Sequence, residues 1–175
     1  MLEAQDVFMG LPIRLGTMKL EAVALPEVTL IAPFKGQMMA VADALKAEIG
    51  MILPPAGQCG ESDSAKAYWR GPGQWLVLGR LNTHMLTGKA AVADMSDSFG
   101  QLRLLGSPIA LARLVEIDVD MMQLGQVAHT VLADIPVTLI AVKGGVELMV
   151  PRSFAASTVS RIKAAMRSVA AQDLL

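Results

Sequence analysis

Two histidines, one cysteine and a few closely spaced acids are the residues of this chain whose types could carry chemistry. His84 and His129 suit proton transfer or metal ligation, but neither has a carboxylate or cysteine at ligand spacing, so both read as structural histidines. Cys59 would need a neighbouring base to act as a nucleophile, and none is legible, so it reads as an ordinary loop thiol. Asp94 with Asp97, and Asp118 with Asp120, could divide acid and base roles only if burial separated their pKa values. Asp118 and Asp120 read instead as acids ending a helix in a solvated turn. Gly71, Gly73, Gly144 and Gly145 would suit a phosphate cradle. However, no G-x-G-x-x-G or G-x-x-x-x-G-K-[ST] run follows a strand and opens a helix, so they are turn glycines.

The elements that must position these residues follow from the hydrophobic pattern. In residues 67–79, Tyr68-Trp69 and Trp75-Leu76-Val77-Leu78 flank Gly71-Pro72-Gly73. Glycine and proline let a backbone reverse tightly, so a β-hairpin is predicted. Residues 137–142 and 146–150 repeat this arrangement around Lys143-Gly144-Gly145. A potential helix-capping residue follows each hairpin, Asn82 and then Ser153, and the repetition predicts an internal duplication.

Met38, Val41, Ala42, Leu45 and Ile49 recur at helical spacing and predict an amphipathic helix closed by Gly50. Residues 28–32 form a predicted strand, and 53–63 a contact loop holding Cys59. Residues 91–95 and 101–105 are predicted to pair as a hairpin with a polar tip at 96–100. Ser107-Pro108 has the order of a helix start, with Leu111, Ala112, Leu114 and Val115 facing inward. A last helix carries the stripe Phe154, Val159, Ile162, Met166 and Val169, with Arg161, Lys163 and Arg167 toward water. Roughly seven or eight strands and about four helices in hairpin-helix units predict an α+β fold with mostly antiparallel sheet. Residues 1–25 lack a sustained period and are expected to be an extended arm. Residues 26–175 are expected to form one duplicated domain with halves at about 26–90 and 91–175.

The totals point to a partner. Of 175 residues, 53% are hydrophobic and 18% charged, against roughly 45–50% and 25% in ordinary domains. No apolar run approaches the ~20 residues that span a bilayer, and no charged segment precedes an apolar one at the N-terminus. The expectation is therefore a cytoplasmic protein, off the membrane, whose surplus apolar surface meets another chain. A net charge of -1 gives no footprint for nucleic acid. A single cysteine fits a reducing compartment. Phe8 in the arm, Trp69, Arg70 and Trp75 in the hairpin, and Arg152 beside the last helix are the candidate interface residues, because aromatic residues and arginine anchor interfaces.

Several of these stretches resemble a known family. Gln74-Trp75-Leu76-Val77-Leu78-Gly79 after a glycine-proline turn, Ile135-Pro136-Val137, and Glu147-Leu-Met-Val-Pro-Arg-Ser-Phe-Ala155 are similar to the gamma subunits of heterotetrameric sarcosine oxidases. Gly50-Met-Ile-Leu-Pro-Pro55, Asp94-Met-Ser-Asp97 and Gly125-Gln-Val-Ala-His-Thr130 fall in the family's order.

The resemblance implies the folate-binding fold of aminomethyltransferases, built from two related α+β halves. It also implies a non-catalytic chain beside alpha, beta and delta subunits, with FAD, FMN, NAD and tetrahydrofolate held on those other subunits. Such an assembly oxidises the N-methyl group of sarcosine or a similar amino acid. The alternative is a stand-alone tetrahydrofolate-binding protein of the aminomethyltransferase kind. The relatives keep an acid near Asp118 and Asp120, but the arginines and glycine that flank it there are absent here. The 125–130 segment likewise lacks the cysteine carried by related iron–sulfur repair proteins.

Overall fold

The computed structural model describes residues 8–172. Within them, eleven strands and three α-helices form two antiparallel sheets. The chain divides into two compact units: residues 25–96 with 125–127, and residues 8–24, 97–124 and 128–172.

The first unit is built on β3 (Val28–Pro33), α1 (Met38–Ile49), β4 (Cys59–Glu61), β5 (Lys66–Gly71), β6 (Gln74–Leu78) and β7 (Ala90–Asp94). Its sheet runs β4-β5-β6-β3-β7. The expected stripe of α1 buries Val41, Leu45 and Ile49 against Ile31, Ala67 and Val77. Gly50 ends the helix at φ 67°, a left-handed conformation that glycine adopts without strain, and its N–H reaches the Lys46 carbonyl. After β6, Asn82 accepts from the His84 N–H, while Leu81 and Leu86 are both buried as the expected staple. Cys59 lies in strand β4 rather than in a contact loop, because it pairs with Tyr68 of β5.

The second unit holds β1 (Ile13–Leu15), β2 (Met18–Val23), β8 (Phe99–Leu105), α2 (Ile109–Ala112), β9 (Val127–Leu132), β10 (Ile135–Val142), β11 (Gly145–Pro151) and α3 (Ala155–Gln172). Its sheet runs β1-β2-β8-β11-β10-β9. Leu20, Leu102, Leu104, Val146 and Leu148 face a core completed by Ile162, Met166 and Val169 of α3. Phe154, assigned to that stripe by spacing, is exposed, because α3 begins one residue later.

Each sheet repeats one order: a strand, a helix, then three strands of which the last returns beside the first. This gives β4-β5-β6-β3 in one sheet and β9-β10-β11-β8 in the other. The expected duplication has this topological form.

Three expectations are corrected. The arm contains a hairpin, since β1 and β2 pair through Ile13↔Leu20 and bury Met18 and Leu20. Its residues 1–7, including Val7, lie outside the described residues. β7 and β8 do not pair with each other: β7 joins β3 in one sheet and β8 joins β2 and β11 in the other. Finally, Ser153 sits inside a short 3-10 turn and makes no capping bond like that of Asn82.

Candidate partner interface

A groove of about 450 Å³ lies beside the start of α3. Ala156, Val159, Ser160 and Lys163 share one helix face by their three- and four-residue spacing and line it together with Ile13 and Arg152. Arg152 enters it directly after β11. Its backbone N–H is held by the Ser98 carbonyl at 3.0 Å, and one guanidinium nitrogen lies 3.7 Å from the exposed carboxylate of Asp97. Among the described residues its lining thus has an apolar floor, the cationic side chains of Arg152 and Lys163, and no carboxylate. Chemically it suits an apolar segment bearing an acid, which an arginine fork can hold by charge-assisted hydrogen bonds.

Phe8, also beside this groove, is buried in the core of its own unit. Its ring lies over Gly100, where any Cβ would come within 2.5 Å of the ring tip. Trp75, likewise expected at an interface, is buried too, with its indole N–H donating to the Pro54 carbonyl at 2.8 Å. A buried tryptophan needs such an acceptor, and the proline-rich loop supplies it. Trp69 stays half-buried and Arg70 exposed. The β5–β6 register shifts between Trp69 and Gly71, so Arg70 is the extra residue of a bulge that turns its side chain outward. Trp69, Arg70 and Arg152 therefore keep accessible surface, while Phe8 and Trp75 serve internal packing.

A polar row that the sequence analysis did not single out crosses β2, β8 and β11. Glu147, only 2% exposed, accepts from Gln101 Nε2 at 2.7 Å and Arg103 Nε at 2.9 Å. Register places Arg103 opposite both Glu147 and Glu21, and Lys19 pairs with Glu21. The Lys19 hydrogen bond, reinforced by the charges of Lys19, Arg103 and Arg14, holds the Glu21 carboxyl below its ordinary 4.5. A depressed folded pKa stabilises the fold above the unfolded value and loses that contribution as pH falls through the folded one. Stability should accordingly drop with acid below pH 4.5, and Glu21→Gln should flatten that slope in urea titrations across pH. An unchanged slope would remove Glu21 from the account.

The other candidates take ordinary structural positions. His129 Nδ1 meets Thr138 Oγ1 at 2.9 Å, and His84 lies exposed in the turn after Asn82. Asp94 is bound by Ser96, Asp97 faces Arg152, and Asp118 and Asp120 are exposed. Gly73 and Gly144 take the positive φ of tight turns. Among the described residues no three His, Cys, Asp or Glu side chains cluster to hold a metal. No described helix is long and apolar enough to cross a membrane.

No protein-family model matches the chain, and a search of curated proteins finds no match. Among solved structures it is similar to a chain of heterotetrameric sarcosine oxidase from Corynebacterium sp. U-96, solved with pyrrole 2-carboxylate. The TM-score is 0.74 at 23% identity, covering 87% of this chain and 85% of that one. It is also similar to glycine cleavage system aminomethyltransferase T from Bartonella henselae, with a TM-score of 0.59 and 12% identity over 82% of this chain but only 44% of that one. The α+β architecture expected from the sequence is thus the fold of this chain, shared with these two proteins.

Proposed function

We propose that this chain is the gamma subunit, without catalytic residues of its own, of a heterotetrameric flavin-dependent sarcosine oxidase. It stabilises an assembly that oxidatively demethylates sarcosine or a similar N-methyl amino acid and passes the one-carbon unit to tetrahydrofolate. FAD, FMN, NAD and tetrahydrofolate reside on the alpha, beta or delta chains of a cytoplasmic complex. The observation that carries this reading is the end-to-end likeness in fold to a sarcosine oxidase chain, over nearly the whole length of both. Met9, Met39, Ile52, Met121 and Leu124 are each more than 60% exposed, an outlay of apolar surface that suits burial by partner chains.

The alternative reading is a stand-alone tetrahydrofolate-binding protein of the aminomethyltransferase kind. A small-molecule pocket fixes its ligand through a few convergent polar groups. Saturable micromolar binding of tetrahydrofolate by the isolated chain would favour that reading, and no binding would remove it.

Affinity purification of the tagged chain from its native cells tests the proposal. The expected result is stoichiometric recovery of larger flavoprotein chains, identified by mass spectrometry, around a tagged chain that is colourless when separated. Recovery of the chain alone, or flavin absorbance on the separated chain, would overturn it.

A further inference from the structure

Among the described residues no strand pairs with the outer side of β7, the last strand of the five-stranded sheet. In an antiparallel ladder the residues that exchange hydrogen bonds alternate with those that do not. Two bonds fix the phase of the β3–β7 pair: Phe34 N–H to the Lys89 carbonyl at 2.9 Å, and Met95 N–H to the Val28 carbonyl at 2.8 Å. Ala91 and Ala93 therefore bond inward to β3, and Ala90, Val92 and Asp94 turn their N–H and C=O groups to the open side.

The opposite edge is treated differently, because the chain covers β4 itself. Cys59 N–H bonds the Gly125 carbonyl at 2.8 Å, and Val127 N–H bonds the Gly57 carbonyl at 2.7 Å. Edge strands are ordinarily blunted by lysine, proline or a covering loop. Residues 90–93 contain neither lysine nor proline, and 91–94 are exposed. Beside the edge, Phe34 at 49% and Val92 at 36% exposure add apolar surface. The one charge on the edge is Asp94, whose carboxylate accepts the Ser96 hydroxyl at 2.6 Å and N–H at 3.0 Å; these bonds hold its pKa below the ordinary value and keep it an anion.

We infer that β7 docks an extended strand of a partner chain, which completes the ladder at Ala90, Val92 and Asp94 and sets a cationic side chain against Asp94. Only another strand offers carbonyls and N–H groups at the two-residue repeat that these open groups require. The inference rests on the proposed function for the identity of the partner.

Val92→Pro tests it, because proline removes an N–H that points outward while leaving the β3 ladder intact. The lone variant should melt like the wild type yet bind the co-expressed flavoprotein chains about tenfold or more weakly. Hydrogen exchange on the wild type gives a second readout that no folding defect can confuse. The amides of Val92 and Asp94 should exchange freely in the lone chain and become protected in the complex. Equal binding by wild type and variant, or unchanged exchange, overturns strand docking alone. Failure of the wild type to bind those chains at all overturns both this inference and the proposed function.

Discussion

Replacing Glu147 by alanine should destabilise the chain by about 3 kcal/mol, near the lower end of the range for breaking a buried ion pair. The carboxylate is 2% exposed and serves two donors, Gln101 and Arg103. Its removal strips Arg103 of its closest counter-ion and Gln101 of its acceptor while opening a cavity. Arg103 retains 35% side-chain exposure and Glu21 as a weaker partner, which keeps the loss from the upper end. In urea the midpoint should fall with an unchanged m-value. The double variant Arg103→Met, Glu147→Leu should recover most of the loss, since an apolar pair of similar volume often replaces a buried ion pair at little cost. A single variant within about 0.5 kcal/mol of wild type, the ordinary range for surface substitutions, would show that the row is not part of the buried structure.

Gly145→Ala should be at least as severe, while Gly144→Ala next to it should be mild. A Cβ at Gly145 would lie 2.0 Å from the Leu104 carbonyl oxygen, a backbone atom of β8 that no rotamer change can move. Strand β11 must separate from β8 at the end of its ladder, at a cost of about 3 kcal/mol or more, the upper part of the overpacking range. At Gly144 a Cβ would meet nothing within 4 Å, and only its φ of 80° opposes a side chain. That strain costs about 1–2 kcal/mol. Thermal melts of the two variants should differ clearly, and equal losses would contradict the close approach of the strands.

The contrast between these glycines shows where the sequence was legible. Both read as turn residues from Lys143-Gly144-Gly145, and the hairpin they predict is present as β10 and β11. That the second glycine is demanded by a neighbouring strand depends on β8, about forty residues earlier in the chain, and no local pattern carries such a fact. Glu147 and Arg103 likewise look like ordinary polar members of alternating strands until register sets them opposite each other.

Local signals did predict α1, its glycine cap, the Asn82 turn and most of α3. They failed for β2, whose alternation of Met18 and Leu20 with Lys19 and Glu21 is too brief to stand out beside the Gly16 turn. Strand propensity also locates β7 and β8 but pairs them with each other, whereas they join different sheets. By sequence Ser96 begins the polar tip of a hairpin, whereas its hydroxyl accepts the Val28 N–H and closes β7 onto its own sheet. For the interface, residue type marks Arg70 and Arg152 but does not separate the half-buried Trp69 from the buried Trp75, which depends on an acceptor at Pro54.

Sedimentation velocity followed at the visible flavin absorbance shows whether this chain contributes partner surface, as proposed. The co-expressed flavoprotein chains are run with and without this chain. Binding of a flavin-free chain, as proposed, should shift the coloured boundary to faster sedimentation by the added mass and leave no slower coloured species. A coloured boundary that does not move when the chain is added would contradict the account.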